Sequence, residues 1–220
     1  MALKQPAPPN FDRLAAIYRW LEWAAFGPFL GRCRTAFLGE LADCRQALVL
    51  GDGDGRFTAR LLAAHPDLQV DAVDASSAML RALRHRAGPH ADRLRTYRAD
   101  VRTWLPQGIS YDLVITHFFL DCLSTAEVEA LAAEVRLRTP TRARWLVSEF
   151  AIPAAWPWRS LARAIVAALY AAFGWLTGLR VRQLPDHTAA LARAGFVLEK
   201  RRTWLGGLLT SEMWRAASDA

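Results

Sequence analysis

The chain has 220 residues, 53% hydrophobic and 22% charged, which fits one domain with a sizeable core. Its net charge is +7, and 26 of the 28 basic residues are arginine, scattered without a basic run; this reads as a solvated surface, with attraction to anionic lipid or nucleic acid as the alternatives. Cys33, Cys44 and Cys122 lack metal-ligand spacing, so no metal site is expected, and the N-terminus carries no secretory signal, so the expected compartment is the cytoplasm.

Residues 1–10, with three prolines, read as a loose tail. Phe11 to Leu38 reads as helices: Leu14, Ile17, Tyr18 and Leu21 form one stripe, and Gly27-Pro28 breaks the pattern. Ala47 to Leu50 is an apolar strand that runs into Gly51-Asp52-Gly53-Asp54-Gly55. Phe57 to His65 then has helical spacing. Glycines at a helix entrance let a ligand approach the backbone N–H groups closely. The spacing is not that of a dinucleotide fingerprint, because Arg56 stands where the third glycine belongs. It is not a Walker loop either, because the lysine is missing.

Leu68 to Asp74 alternates as a second strand and ends in an acid, which suits the ribose hydroxyls of an adenosine lying across strand ends. A helix follows, with Ser76 or Ser77 as cap. Leu94 to Ala99 reads as a third strand ending in Asp100-Val101; Asp100 meets a ligand or caps a helix beginning near Val101. Tyr111 to His117 is a fourth strand, Ser124 to Arg138 a helix, and Arg144 to Ile152 a fifth strand. Pro153 to Arg159 carries prolines and tryptophans. The apolar run Ala164 to Leu179 is too short for a membrane span. Three readings stay open for it: a buried lid over an apolar substrate, a membrane-surface helix, or dimer or core packing. Leu184 to Gly195 reads as a helix. Phe196 to Trp204 and Leu208 to Arg215 read as a hairpin around Gly206-Gly207.

The turn Gly51-x-Gly53-x-Gly55 resembles motif I of class I S-adenosylmethionine (SAM) dependent methyltransferases. Asp74-x-Ser76-x-x-Met79-Leu80 is similar to their second motif. The opening Phe11-Asp12-x-x-Ala15-x-x-Tyr18 resembles that of the ubiquinone/menaquinone C-methyltransferases, with Arg19 where they carry aspartate. The superfamily resemblance covers roughly the last four fifths of the chain, from Ala47 to Arg215. It implies an α/β fold: a Rossmann-like seven-stranded sheet with helices on both faces, N-terminal helices and a lid after the fifth strand. The expected division is a helical cap over 1–40 and a SAM-binding domain over 41–220, with 153–183 as the lid.

The resemblance implies SAM as cofactor and S-adenosylhomocysteine as product. Gly51, Asp52, Gly53, Asp54, Gly55, Asp74, Ala75, Met79, Asp100, Val101 and His117 would bind the cofactor. Asp100 would meet the adenine amino group and Val101 would pack on its ring. One departure stands out: motif I carries an acid two residues before its first glycine, and here that residue is Val49. Asp52 or Asp54 would replace its charge. His117 is the expected catalytic base, and Tyr18, Phe118, Phe119, Trp156 and Trp158 would line an apolar acceptor pocket. The expected function is methyl transfer to a small, apolar molecule such as a quinone, a phenol or a lipid-like metabolite. The alternatives are a catalytically inactive SAM-binding protein and an RNA or protein methyltransferase. The missing DPPY-type signature of nucleobase enzymes argues against a nucleic-acid partner. Peripheral membrane contact through 156–182 and a homodimer stay open.

Overall fold

The computed structural model describes residues 26–153, 159–160, 162–168 and 184–218. A short helix, α1 (Phe29–Arg34), precedes β1 (Gln46–Leu50), α2 (Arg56–Ala64), β2 (Gln69–Asp74), α3 (Ser77–Ala87), β3 (Leu94–Arg98) and β4 (Leu113–His117). α4 (Thr125–Arg136), β5 (Arg144–Phe150), α5 (His187–Arg193), β6 (Phe196–Trp204) and β7 (Leu209–Ala216) complete the chain. The seven strands form one sheet in the order β3-β2-β1-β4-β5-β7-β6. β7 is antiparallel to both of its neighbours, and the other pairings are parallel. The expected sheet is therefore present. Strand order reverses between β1 and β4, and in such sheets ligands bind outside the carboxyl ends of the strands at that point.

The near-continuous apolar runs of β1 and β4 follow from burial on both faces. Val49, Ile115 and Leu146 pack with Phe57, Leu61 and Leu83 of α2 and α3. Leu48, Val114 and Trp145 pack with Val128, Leu131 and Val135 of α4 on the opposite face. α4 opens with a full capping box: Ser124 Oγ accepts from the Glu127 backbone, and the Glu127 carboxylate accepts from the Ser124 backbone.

The amino ends of the strands are fastened by residues whose role the sequence did not reveal. Tyr111 Oη donates to Asp71 Oδ2 at 2.6 Å inside the core, and Arg95 Nε donates to Asp71 Oδ1 at 2.6 Å. The Asp112 carboxylate accepts the backbone N–H groups of Arg45 (2.8 Å) and Gln46 (3.0 Å), which pins the start of β1 to β4. Buried polar groups need such partners.

Several boundaries differ from expectation. The helical region ahead of β1 contains α1, which starts directly after Pro28, and a 3-10 turn at Leu38–Glu40. No helix begins at Val101: the Thr103 and Trp104 N–H groups both return to the Asp100 carbonyl, and the chain leaves after one turn, with Pro106 and Gly108 ahead. α5 starts at His187 because the Asp186 side chain accepts from Ala189 N and caps it there. The tail, Tyr18, Trp156 and Trp158 lie outside the described residues.

Replacing Tyr111 with Phe removes one charge-assisted hydrogen bond from a buried carboxylate. The expected loss of stability is about 1.5–3 kcal/mol, read as a lower urea midpoint at unchanged slope.

Candidate functional site

The site is built from the turn between β1 and α2. Gly51, Gly53 and Gly55 all have positive φ (66°, 58° and 78°), a region that side chains other than glycine rarely adopt. Gly51 N donates to the Val73 carbonyl at 3.0 Å, which ties the tips of β1 and β2 together. A Cβ on Gly55 would lie 2.7 Å from the Leu83 backbone, so this glycine sets the approach of α3 to the turn. A Cβ on Gly51 would strike the ring of Phe119. A Cβ on Gly53 would meet nothing within 4 Å among the described residues. Open space therefore lies over the middle of the turn, at the entrance to α2.

The two turn aspartates are used inside the protein. Asp52 Oδ2 accepts from Thr58 N (2.9 Å) and Thr58 Oγ1 (2.7 Å), closing the turn onto the first turn of α2. Burial raises its carboxyl above the usual range, against the Thr58 bonds. Asp54 Oδ2 pairs with Arg86 (2.8 Å) and Arg56 (3.2 Å).

Asp74 stands half-buried at the carboxyl end of β2, and its Oδ1 accepts from Ser76 N at 2.8 Å. Ser76 caps α3 through Met79 N, so the second motif is a strand tip and a helix cap in one stretch. Ala75 is half-buried beside Asp74, and Met79 is buried. Asp100, past the end of β3, is held by the Arg102 guanidinium through both oxygens (2.6–3.0 Å). That pairing keeps its carboxyl below the usual range. Val101 packs into the core with Leu50 and Val73. The glycine turn, Asp74 and Asp100 thus follow β1, β2 and β3 along one edge of the sheet.

His117 ends β4. It is only 3% exposed, and neither ring nitrogen has a hydrogen-bond partner among the described residues. Its ring meets Phe57 edge-on, with centroids 4.4 Å apart. Burial, helped by the positive charge of Arg34, pulls its pKa from the ordinary 6.5 down to about 3. The imidazole is therefore neutral at physiological pH. Phe118, next in the chain, has φ 54°, a strained value for a bulky residue. Its ring touches Phe150 (5.1 Å between centroids) and lies under the Arg34 guanidinium (5.2 Å). Phe26, Leu30, Ala162, Val166, Leu208 and Leu209 join these rings in a third apolar cluster. That cluster links α1 and residues 162–168, part of the expected lid, to the carboxyl ends of β4 and β5.

Residues 47–139 match the family model described as a methyltransferase domain. The comparison with curated proteins found no match. Among solved structures, the mitomycin 7-O-methyltransferase MmcR is similar at TM-score 0.69 and 18% identity, over 94% of this chain and 60% of its own. The pyocyanin biosynthetic protein PhzM is similar at TM-score 0.66 and 18% identity, over 94% and 61%. The dimethyltransferase RosA from Streptomyces davawensis is similar at 0.65 and 21%, over 95% and 62%. The fold is that of the methyltransferases. The chain spans about 60% of the length of the structures it matches first. No metal-binding cluster occurs among the described residues, and no described helix is long and apolar enough to cross a membrane.

Two outcomes test this geometry. Gly53→Ala has room in the protein, so its folding cost should stay at the 1–2 kcal/mol of the left-handed backbone. Gly55→Ala adds a backbone clash with α3 and should unfold at clearly lower denaturant. For His117, the unfolded chain takes up a proton near pH 6.5, and the folded chain takes it up only near 3. Its contribution to stability is therefore present above about 6.5 and lost as pH falls towards 3, by about 1.4 kcal/mol per unit. His117→Leu should flatten the pH dependence of stability across that window in chemical denaturation.

Proposed function

We propose that this protein is a SAM-dependent methyltransferase acting on a small, apolar acceptor such as a quinone, a phenol or a lipid-like metabolite. The observation that carries the reading is the open glycine turn at the switch point with the Asp74 carboxylate beside it. The donor set suits the cofactor. Gly51, Gly53 and Gly55 would let its amino-acid end approach the main chain, and Asp74 would take the ribose hydroxyls. Asp100 and Val101 would flank the adenine.

When bound, the cofactor supplies a methyl group already activated by its sulfonium charge. The protein's task is then to position the acceptor and exclude water. Phe118 and Phe150, with Phe26, Leu30, Val166 and Leu208 beside them, give the strand ends an apolar flank suited to such an acceptor. Tyr18, Trp156 and Trp158 are proposed to extend it. Phe119 lies against Gly51 and would border both ligands. His117 is the proposed base: neither ring nitrogen has a partner among the described residues, and the phenolate left by proton transfer would supply the negative charge that the buried imidazolium needs. One of the similar structures carries the name of a mitomycin 7-O-methyltransferase, which supports a small-molecule acceptor and oxygen as its methylated atom. The resemblance to quinone C-methyltransferases rests partly on residues 10–18, which lie outside the described residues.

Calorimetric titration with S-adenosylhomocysteine and with NAD tests the reading. Micromolar binding of the first, no binding of NAD, and loss of binding in Asp74→Ala are expected. NAD binding, or full nucleoside affinity in Asp74→Ala, would overturn it. Once a quinol or phenol acceptor turns over, His117→Asn should lower kcat by about 10²-fold or more at unchanged S-adenosylhomocysteine affinity.

A further inference from the structure

The loop after β4 and the end of β5 carry a pair of carboxylates that the proposed mechanism does not use. Glu149, near the end of β5, is 2% exposed. Its Oε1 accepts the backbone N–H groups of Phe119 (3.1 Å) and Leu120 (2.8 Å), so it holds the loop that leaves β4. Its Oε2 is buried with no hydrogen-bond partner among the described residues. The charge acting on Glu149 is that of Asp121, in the 3-10 turn Leu120–Cys122 of the same loop. Asp121 Oδ1 accepts from the Cys122 thiol at 3.5 Å.

One contact places this pair beside the crevice: Phe119, held by Glu149, has its ring against Gly51. A buried carboxylate with an empty acceptor position is costly unless a proton or a cation occupies it. Burial raises the Asp121 carboxyl to about 6, and burial, with the charge of Asp121 added to it, raises the Glu149 carboxyl well above its usual range. A cation seated between them would relieve both costs.

The sequence shows where such a charge is missing. Val49 replaces the acid expected before Gly51, and Asp52 and Asp54 are occupied by Thr58 and by two arginines. We propose that Asp121 and Glu149 form the seat for the ammonium group of the cofactor's amino-acid end, supplying from the β4–α4 loop and the end of β5 the negative charge that β1 lacks. This inference rests on the reading of the crevice as a SAM site and deepens it.

Two probes separate the seat from the rest of the site. S-adenosylhomocysteine carries the ammonium; 5′-methylthioadenosine shares the nucleoside and lacks the amino-acid end. Asp121→Asn should weaken S-adenosylhomocysteine about tenfold or more and leave methylthioadenosine unchanged. Glu149→Gln should do the same, and unaltered methylthioadenosine binding shows that each variant keeps its fold. An unchanged ratio of the two affinities in Asp121→Asn would overturn the seat while leaving the cofactor reading intact. Wild-type protein that bound neither nucleoside would overturn both.

Discussion

The structure depends on how the chain leaves β1. A strand buried on both faces must end at the crevice, turn without a Cβ and enter α2 within a few residues. Asp52 makes this possible by bonding Thr58 through backbone and side chain. Gly55 makes it possible by letting α3 come close. Because Asp52 closes the turn from within, no acid at position 49 is needed to shape it. Val49 then joins Ile115 and Phe57 in the apolar layer instead. What the turn gains in packing it loses in charge facing outward.

The opposite ends of the strands show what the unusual arginine content does. Arg95 neutralises buried Asp71, and Arg93 donates to the carbonyls of Leu62, His65 and Leu68, closing the end of α2 and the entry to β2. Arg138 reaches the Pro106 and Glu134 carbonyls. A guanidinium spreads five donors over a planar fork and so reaches acceptors on several elements, where a lysine offers one compact point charge. Many arginines therefore act as fasteners between elements, and the net charge need not mark a polyanion partner. This agrees with the scatter of arginines along the sequence.

The sheet was legible because buried parallel strands leave runs such as Ala47–Leu50 and Leu113–Ile115, and because the helices between them keep one apolar stripe. The edge proposed for the cofactor was legible as structure because its residues stand next to one another in the chain: glycines in a turn, Asp74 before a serine cap. The helix expected after Asp100 did not form, since local capping chemistry alone cannot show whether the following residues have anything to pack against. The roles of Tyr111, Asp112 and Glu149 were hidden for another reason. Their partners lie 40 residues away in Asp71, 66 and 67 in Gln46 and Arg45, and 29 and 30 in Leu120 and Phe119. A single sequence offers no signal for pairings at such separation.

Strand alternation also governs how chemistry is divided at the crevice. His117 pairs in register with Ser148, so these two share a face of the sheet and Glu149 takes the other. On the His117 face, α2 supplies Phe57 and α1 supplies Arg34, and burial with that charge disfavours a positive imidazole. On the Glu149 face, the loop from β4 supplies Asp121, and the environment disfavours two negative charges. A neutral base and a carboxylate pair can thus sit on neighbouring strands without an ion pair forming between them. An ion pair would protonate the imidazole and remove its use as a base. Keeping the two apart across the sheet leaves the imidazole neutral, while an ammonium seated at Asp121 and Glu149 would favour the ionised form that their burial disfavours.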